Sequence, residues 1–302
     1  MESHVSPLIK TDNPMIKAQS TWDDSYAYVE SLVPLTHHDY YYICGKIEQG
    51  WITNRDIDIV HFLSVHRWLT LSQITRLFFP ETESTSTTIR NRVNKLQKYG
   101  LIRKIKWTSH TNPKENRPSI YEIGASGADI LKYRMGVFLG NRDPRRPKEV
   151  SMTFRQKYIA TNEFYILLKK SFELNFFEFH PVLNLKETQV APTAQFILSN
   201  PSGKQLQFYL FCYRDEENWL KTIRFQAKFM KEFLISEGKE AMLIILVSTE
   251  AKAILASKII DQEGVSTQTW FITDVELKEN EDGITKSFFV YQDGRKNYLD
   301  LG

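Results

Sequence analysis

The chain has 302 residues, of which 42% are hydrophobic and 25% charged. Those values exclude wholesale disorder, and the length predicts two domains, since one core seldom grows past about 250–300 residues. Thirteen glycines and two cysteines exclude collagen-like and disulfide-stapled classes. The longest apolar run, Ala241 to Val247, falls far short of the roughly 20 residues a membrane span needs. The opening MESHVSPLIKTDNP lacks a basic start and an apolar stretch. A cytoplasmic protein with no membrane partner is therefore expected, with Cys44 and Cys212 as reduced thiols.

The net charge of +3 is unevenly spread. Residues 51–150 hold 18 Lys and Arg against 9 Asp and Glu, whereas both flanks are acidic. Between Arg90 and Arg117 stand nine basic residues and one acid, Glu115. Such a block is the footprint of a polyanion-binding module; the competing reading is a solvated basic face without a partner.

In chain order, residues 1–20 are polar and predict a mobile arm. In the aromatic stretch 21–50, Trp22, Tyr26, Val29 and Leu32 recur at helical spacing, and Pro34 ends the predicted helix. These aromatics read as a docking segment. His37 and His38 are adjacent without further ligands at metal spacing, so no metal site is expected. Thr53 or Asn54 caps the next helix, with Asp56 in its first turn and Ile57, Val60, Leu63 and Phe62 along its apolar stripe. Leu69, Leu71, Ile74, Leu77 and Phe78 give a second helix, ended by Pro80. A third runs to Tyr99 with Ile89, Val93 and Leu96 inward and Gly100 at its C-terminal cap. Residues 101–107 and 119–123 read as strands flanking a polar loop, and Ser126 caps a further helix.

Helix, helix, helix, strand, loop, strand, helix is the winged helix-turn-helix order, whose third helix enters the major groove. The outward face of that helix carries Thr87, Asn91, Asn94, Lys95 and Lys98, with Arg90 on one flank and Arg92 on the other and Ser86 at the start, and the loop adds His110, Lys114 and Arg117. Arg and Asn suit guanine and adenine edges, and Ser, Thr and Lys suit phosphates. Arg90, Asn91, Asn94 and Lys95 are assigned to base edges or nearby phosphates, Ser86, Thr87 and Lys98 to backbone, and Lys114 and Arg117 to the wing. A winged helix used for protein contact is the alternative.

NRDPRRP from Asn141 to Pro147 reads as an exposed linker. Beyond it the chain predicts a helix over 154–175 and strands at 176–185, 195–198 and 206–213, the last two joined by a turn at Pro201-Ser202-Gly203-Lys204. A long helix over 217–234, a buried strand at 241–247, a helix at 251–260 and a strand at 269–272 follow. Together these make an α/β sandwich around a mixed sheet. In the long helix, Trp219, Phe225, Phe229 and Phe233 alternate with Lys221, Arg224, Lys228 and Lys231. That pattern suits packing along one side better than a stacking platform for single-stranded DNA.

Several stretches resemble the replication-relaxation family of plasmids, conjugative elements and phages of Gram-positive bacteria. They are ITNRDIDIVHFLSVHRWLTLSQITRLFFP, TTIRNRVNKLQKYGLIRK, RQKYIATNEFYILL, VAPTAQFIL and QFYLFCYRDEENW, spread over residues 51–235. The resemblance implies a second domain of PD-(D/E)xK nuclease fold, whose site needs carboxylates and a lysine around a divalent metal. The family's Pro-Asp-Ala step falls on Pro192-Thr193-Ala194 and its acid-bearing strand on Phe211-Cys212-Tyr213, so the expected carboxylates are missing. Asp215, Glu216 and Glu217 stand just beyond as rival ligands, or as acids at a helix start.

No GxxxxGK[ST], GxGxxG, HExxH or CxxC motif is present, so no cofactor, no metal and no catalytic residue is assigned. The expected class is α+β: residues 1–50 arm and docking segment, 51–140 winged helix-turn-helix, 141–150 linker, 151–302 nuclease-like domain without catalysis. The expected function is sequence-specific binding of double-stranded DNA, as a replication or transfer accessory or a transcriptional regulator. A homodimer and a replication or conjugation protein are the expected partners. A metal-dependent nuclease with a rearranged site and a protein-interaction module are the alternatives.

Overall fold

The computed structural model describes residues 22–79, 85–146, 149–199, 203–238, 240–280, 283–292 and 294–301. The predicted arm, the helix-ending Pro80 and the turn residues Pro201 and Ser202 lie outside them.

The expected order in the first half is present. It comprises α1 (Tyr40–Glu48), α2 (Asn54–His66), β2 (Leu69–Thr70), α3 (Leu71–Phe78), α4 (Ser86–Lys98), β3 (Ile102–Ser109), β4 (Ile120–Ile123) and α5 (Ala125–Met135), preceded by β1 (Ala27–Leu32). A four-stranded antiparallel sheet runs β1-β3-β4-β2. At the start of α2, the Asp56 carboxylate accepts from the Thr53 backbone N–H at 2.7 Å, closing a capping box. Ile57, Val60 and Leu63 of α2, Ile89, Val93 and Leu96 of α4, and Ile130 and Leu131 of α5 share one core. Gly100 takes φ +66, and a Cβ there would meet the Thr36 carbonyl oxygen at 2.3 Å.

Three expectations are corrected here. Residues 27–32 form a strand, not a helix: Ala27 to Leu32 pair with Ser109 to Ile105 of β3, with a bulge between Val29 and Ser31. The free edge of β3 decides this, because strand pairing satisfies a whole row of backbone groups at once. The helix of the aromatic segment is instead α1, capped by Asp39, which accepts from the Tyr41 N–H at 2.8 Å. Gly124, not Ser126, caps α5, because the helix already begins at Ala125, and a Cβ at Gly124 would meet the Gly100 carbonyl oxygen at 2.3 Å. The Ser126 hydroxyl accepts from the His38 N–H at 2.9 Å. The segment after α5 is pinned rather than loose. Arg142 donates to the Ser64 carbonyl at 2.7 Å, and Arg145 pairs with Asp129 and Asp143 at 2.8 and 2.7 Å.

The second half opens with α6 (Met152–Ser171). After it come β5 (Leu174–Phe179), β6 (Leu183–Leu185), β7 (Thr188–Val190), β8 (Ala194–Ser199), β9 (Gln205–Cys212), α7 (Trp219–Glu237), β10 (Ala241–Val247), α8 (Glu250–Glu263), β11 (Thr269–Thr273), α9 (Asp274–Glu279), β12 (Phe289–Gln292) and β13 (Arg295–Tyr298). The seven-stranded sheet runs β13-β12-β11-β10-β9-β8-β5, parallel at β9-β10-β11 and antiparallel elsewhere. Tyr209, Phe211 and Tyr213 face α7 and α8, while Phe208, Leu210 and Cys212 face α6 and α9. This two-faced burial explains the unbroken apolar run of β10. The predicted strand 176–185 divides at His180, whose φ of +50 breaks the extended chain. The elements from α9 onward, and β7, were not expected from the sequence. In α7, Phe229 and Phe233 are buried while Phe225 is exposed, so the packing stripe omits Phe225.

A third core joins the halves. Trp68, Ile105, Trp107 and Ile120 pack on Met152, Tyr158 and Ile159 of α6, with Trp22, Ala27 and Val29 against them. Behind it, Asn162 of α6 donates to the carbonyls of His66 and Trp68 at 3.1 and 2.8 Å. Its amide oxygen therefore accepts from His66 Nδ1 at 2.7 Å. Phe62 stacks on the His66 ring with centroids 3.6 Å apart. Burial pushes His66 down to about 4, against the Asn162 hydrogen bond and with help from Lys169. Burial also pushes His180 down to about 4, with Arg67 and Lys157 adding to the shift. Both rings bind more protons in the unfolded chain between about pH 6.5 and 4. Stability should therefore fall as pH drops through that window, by up to about 1.4 kcal/mol per pH unit for each ring. Urea denaturation across pH 7.5 to 4.5 should show the decline, and His66→Gln should remove about half of it, leaving the share of His180; a pH-independent midpoint would contradict it.

Candidate nucleic-acid interface

Helix α4 is held by its inner face and by one arginine. Thr85 caps it, its hydroxyl accepting from the Thr88 N–H at 3.3 Å. Ile89, Val93 and Leu96 are buried. Arg92 crosses to the fully buried Asp56, with Nε at 2.8 Å from the carboxylate, and Nη2 donates to the Thr53 hydroxyl at 3.2 Å. The Asp56 carboxylate thus serves the first turn of α2 and the flank of α4 together.

With Arg92 occupied, the outward face of α4 keeps Ser86, Thr87, Arg90, Asn91, Asn94 and Lys98, all exposed. Lys95 is half-buried, its ammonium 4.6 Å from the Trp51 ring centre and 5.9 Å from that of Tyr99. The Asn94 side-chain oxygen accepts from Gln97 at 3.2 Å. No acidic residue stands on α4. His38 reaches the Lys98 carbonyl at 2.9 Å and His37 lies 2.8 Å from Asp129, so the two histidines tie the aromatic segment to α4 and α5.

Between α3, α4 and the β3–β4 hairpin lies a groove of about 700 Å³, lined by Arg76, Arg90, Asn94, Lys104 and Arg117 among others. Lys104 was not singled out in the sequence, where it stands inside a predicted strand. The alternation of β3 turns it toward α4 and Arg103 away. One acid, Glu163 of α6, lines the groove and pairs with Arg76.

The loop residues divide. Lys114 is exposed. Arg117 is not available as a wing contact: its side chain is only 9% exposed, pairs with Glu115 at 2.8 Å and Asp24 at 3.4 Å, and lies 5.1 Å from the Trp107 ring centre. Only the segment before β1, folded back over the hairpin, brings Asp24 to it. His110 likewise stacks on Tyr28, with centroids 4.3 Å apart.

In the second half, the positions read against the nuclease pattern take other work. The Thr193 hydroxyl accepts from the Cys212 N–H at 2.9 Å. Cys212 is buried and burial pushes its thiol up, which keeps it protonated and inert. Arg214, fully buried, makes two bonds to Asp274 at 2.9 and 3.1 Å. Glu216 pairs with Lys157 at 2.7 Å. Asp215 accepts from the Ser25 hydroxyl at 3.0 Å and stands 3.7 Å from Lys252, while Glu217 is exposed. The Lys252 ammonium lies closer to Asp23, at 2.6 Å. Among the described residues no group of three His, Cys, Asp or Glu is placed to hold a metal ion. No helix among them is long and apolar enough to cross a membrane.

Arg92 and Arg90 should therefore behave oppositely. Arg92→Ala leaves Asp56 buried without a counter-charge and should cost about 3 kcal/mol in urea denaturation. Arg90→Ala should change stability by less than about 0.5 kcal/mol.

The family model described as Replication-relaxation matches residues 60–176, from within α2 through α6 into β5. The match is narrower than the resemblance read over 51–235 and stops before the strands β8 and β9. No curated protein and no solved structure matches the chain. The replication-relaxation family is thereby supported as the family of this chain, through residues 60–176.

Proposed function

We propose that the first half is a winged helix that binds double-stranded DNA, with α4 in the major groove and the β3–β4 loop beside it. The observation that carries this reading is the outward face of α4: exposed Arg, Asn, Ser, Thr and Lys side chains, no acid, and a rigid seat through Arg92 and Asp56. Arg90 and Asn91 stand where base edges would be read, and Asn94 and Lys95 beside them. Ser86, Thr87, Lys98 and Lys114 would meet phosphates. The family match supports a role in plasmid replication or relaxation. Within that role the protein would act at an origin or a promoter, as an accessory or a regulator, as a homodimer on paired half-sites and alongside a replication or conjugation protein.

The second half is proposed as a non-catalytic scaffold. Thr193 and Cys212 support this, because both stand inside the sheet's own hydrogen bonding where a nuclease would place carboxylates. Incubation of the full chain with plasmid DNA and Mg²⁺ or Mn²⁺ should leave the DNA intact; cleavage lost in Glu216→Ala would overturn the proposal.

Binding is tested by fluorescence anisotropy with the element's own origin and upstream duplexes against a scrambled duplex, across several salt concentrations. Specific binding should weaken linearly in log–log with salt. The Arg90→Ala/Asn91→Ala double variant should lose tenfold or more on the specific duplex, since a bidentate base contact is worth about 1–3 kcal/mol. Equal affinity for both duplexes, unchanged in the variant, would reduce α4 to a general phosphate contact or to a protein-binding surface.

A further inference from the structure

A second cavity, of about 630 Å³, opens on the face of the first sheet turned away from α4. It lies between the C-terminus of α2, the β3–β4 hairpin, the segment around Arg142 to Arg146, and the start of α6. Six arginines line it against three acidic residues. Arg103 is taken by Glu122, and Arg145 by Asp143 and Asp129. The third acid, Glu149, is exposed. Four guanidinium groups then remain without an ion-pair partner among the described residues: Arg67, Arg142, Arg146 and Arg155.

Arg155 is the most telling of them. It is 7% exposed, donates from Nη1 to the Val150 carbonyl, and its buried Nε has no hydrogen-bond partner. Burial pushes this guanidinium below its usual value; Glu122 opposes that shift, and Arg103 and Arg67 add to it. A buried cation in that setting is costly unless an anion is brought to it. Arg67 sits beside it with φ +58, a backbone state rare for a long side chain, and its guanidinium lies 4.2 Å from the Trp68 ring centre. Arg142 and Arg146 are exposed at the rim, bonded to the Ser64 carbonyl and, at 3.4 Å, to the Asn141 side chain. None of these four residues faces the α4 groove.

We propose that this cavity binds a phosphorylated small molecule, its phosphate oxygens held by Arg67, Arg142, Arg146 and Arg155. Planar guanidinium forks match phosphate oxygens in pairs, and several lining one cavity suit a multiply charged anion better than a carboxylate. The volume exceeds what inorganic phosphate fills and falls within the range of small-molecule sites. A ligand here would touch α2, the hairpin and α6 together, and so would brace the joint between the two halves. The site is independent of the DNA reading of α4.

The test is isothermal titration of the full chain with sodium pyrophosphate and, separately, with ADP, at ionic strength matched by chloride. Saturable one-to-one binding is expected for at least one of them. Arg155→Gln and Arg142→Gln should each weaken it tenfold or more, and Arg90→Ala should leave it unchanged. Because Arg155 is buried, Arg142→Gln, at the rim, decides the matter if the Arg155 variant does not fold. Absence of saturable binding to either probe, or binding indifferent to Arg142→Gln, would overturn the proposal. Displacement of the probe by short duplex DNA would assign these arginines to a DNA backbone and would overturn the small-molecule reading as well.

Discussion

Helix α6 is the part on which both halves depend. Tyr158, Ile159 and Asn162 face the first sheet and α2, while Ala160, Phe164, Leu167 and Leu168 face the seven-stranded sheet. The helix is buried on nearly every side, its polar Arg155, Gln156, Thr161 and Asn162 included, so both units enclose it. Gln73 of α3 extends the same joint, donating to the Ile159 carbonyl at 2.8 Å. The family match ends just past this helix. The matched segment thus takes in most of the first unit, the helix that seats it and the first residues of β5.

The pleat of one short hairpin sorts the basic block into two chemistries. Arg103 and Lys104 are neighbours in sequence, yet β3 sends one to the cavity of arginines and the other to the α4 groove. Their partners on β4 divide in the same way: Glu122 meets Arg103, and Tyr121 lines the groove. A charge excess that looks like a single patch in the sequence is therefore distributed between two faces, one along an exposed helix and one at the joint. Part of it is neutralised on the spot, as in Arg92 with Asp56 and Arg117 with Glu115 and Asp24.

The segment before α1 ties these regions together. Its strand completes the first sheet, Trp22 packs beside Trp107 with centroids 5.5 Å apart, and Asp23 reaches the far half. There the Asp23 carboxylate accepts from Ser248, from Lys252 at 2.6 Å and from the Asp215 backbone, at the carboxyl ends of β9 and β10. Ligand sites of open α/β sheets commonly lie at those strand ends; here the chain's own carboxylate occupies the position.

What the sequence determined by itself was local and periodic. The cap at Thr53, the stripe Ile89-Val93-Leu96, the left-handed Gly100 and the buried run of β10 all follow from interactions within a few residues, so spacing alone reveals them. The outward residues of α4 were legible for the same reason, since the inner stripe defines the outer face. What only the tertiary structure decided depends on partners far along the chain. Residues 27–32 became a strand because β3 had a free edge, and Arg117 became a buried strut because Asp24 folded onto it. Arg67, Arg142 and Arg155, scattered over some ninety positions, line one cavity because α6 packs against the hairpin. No periodicity can announce a cluster whose members meet only when two units close on one helix.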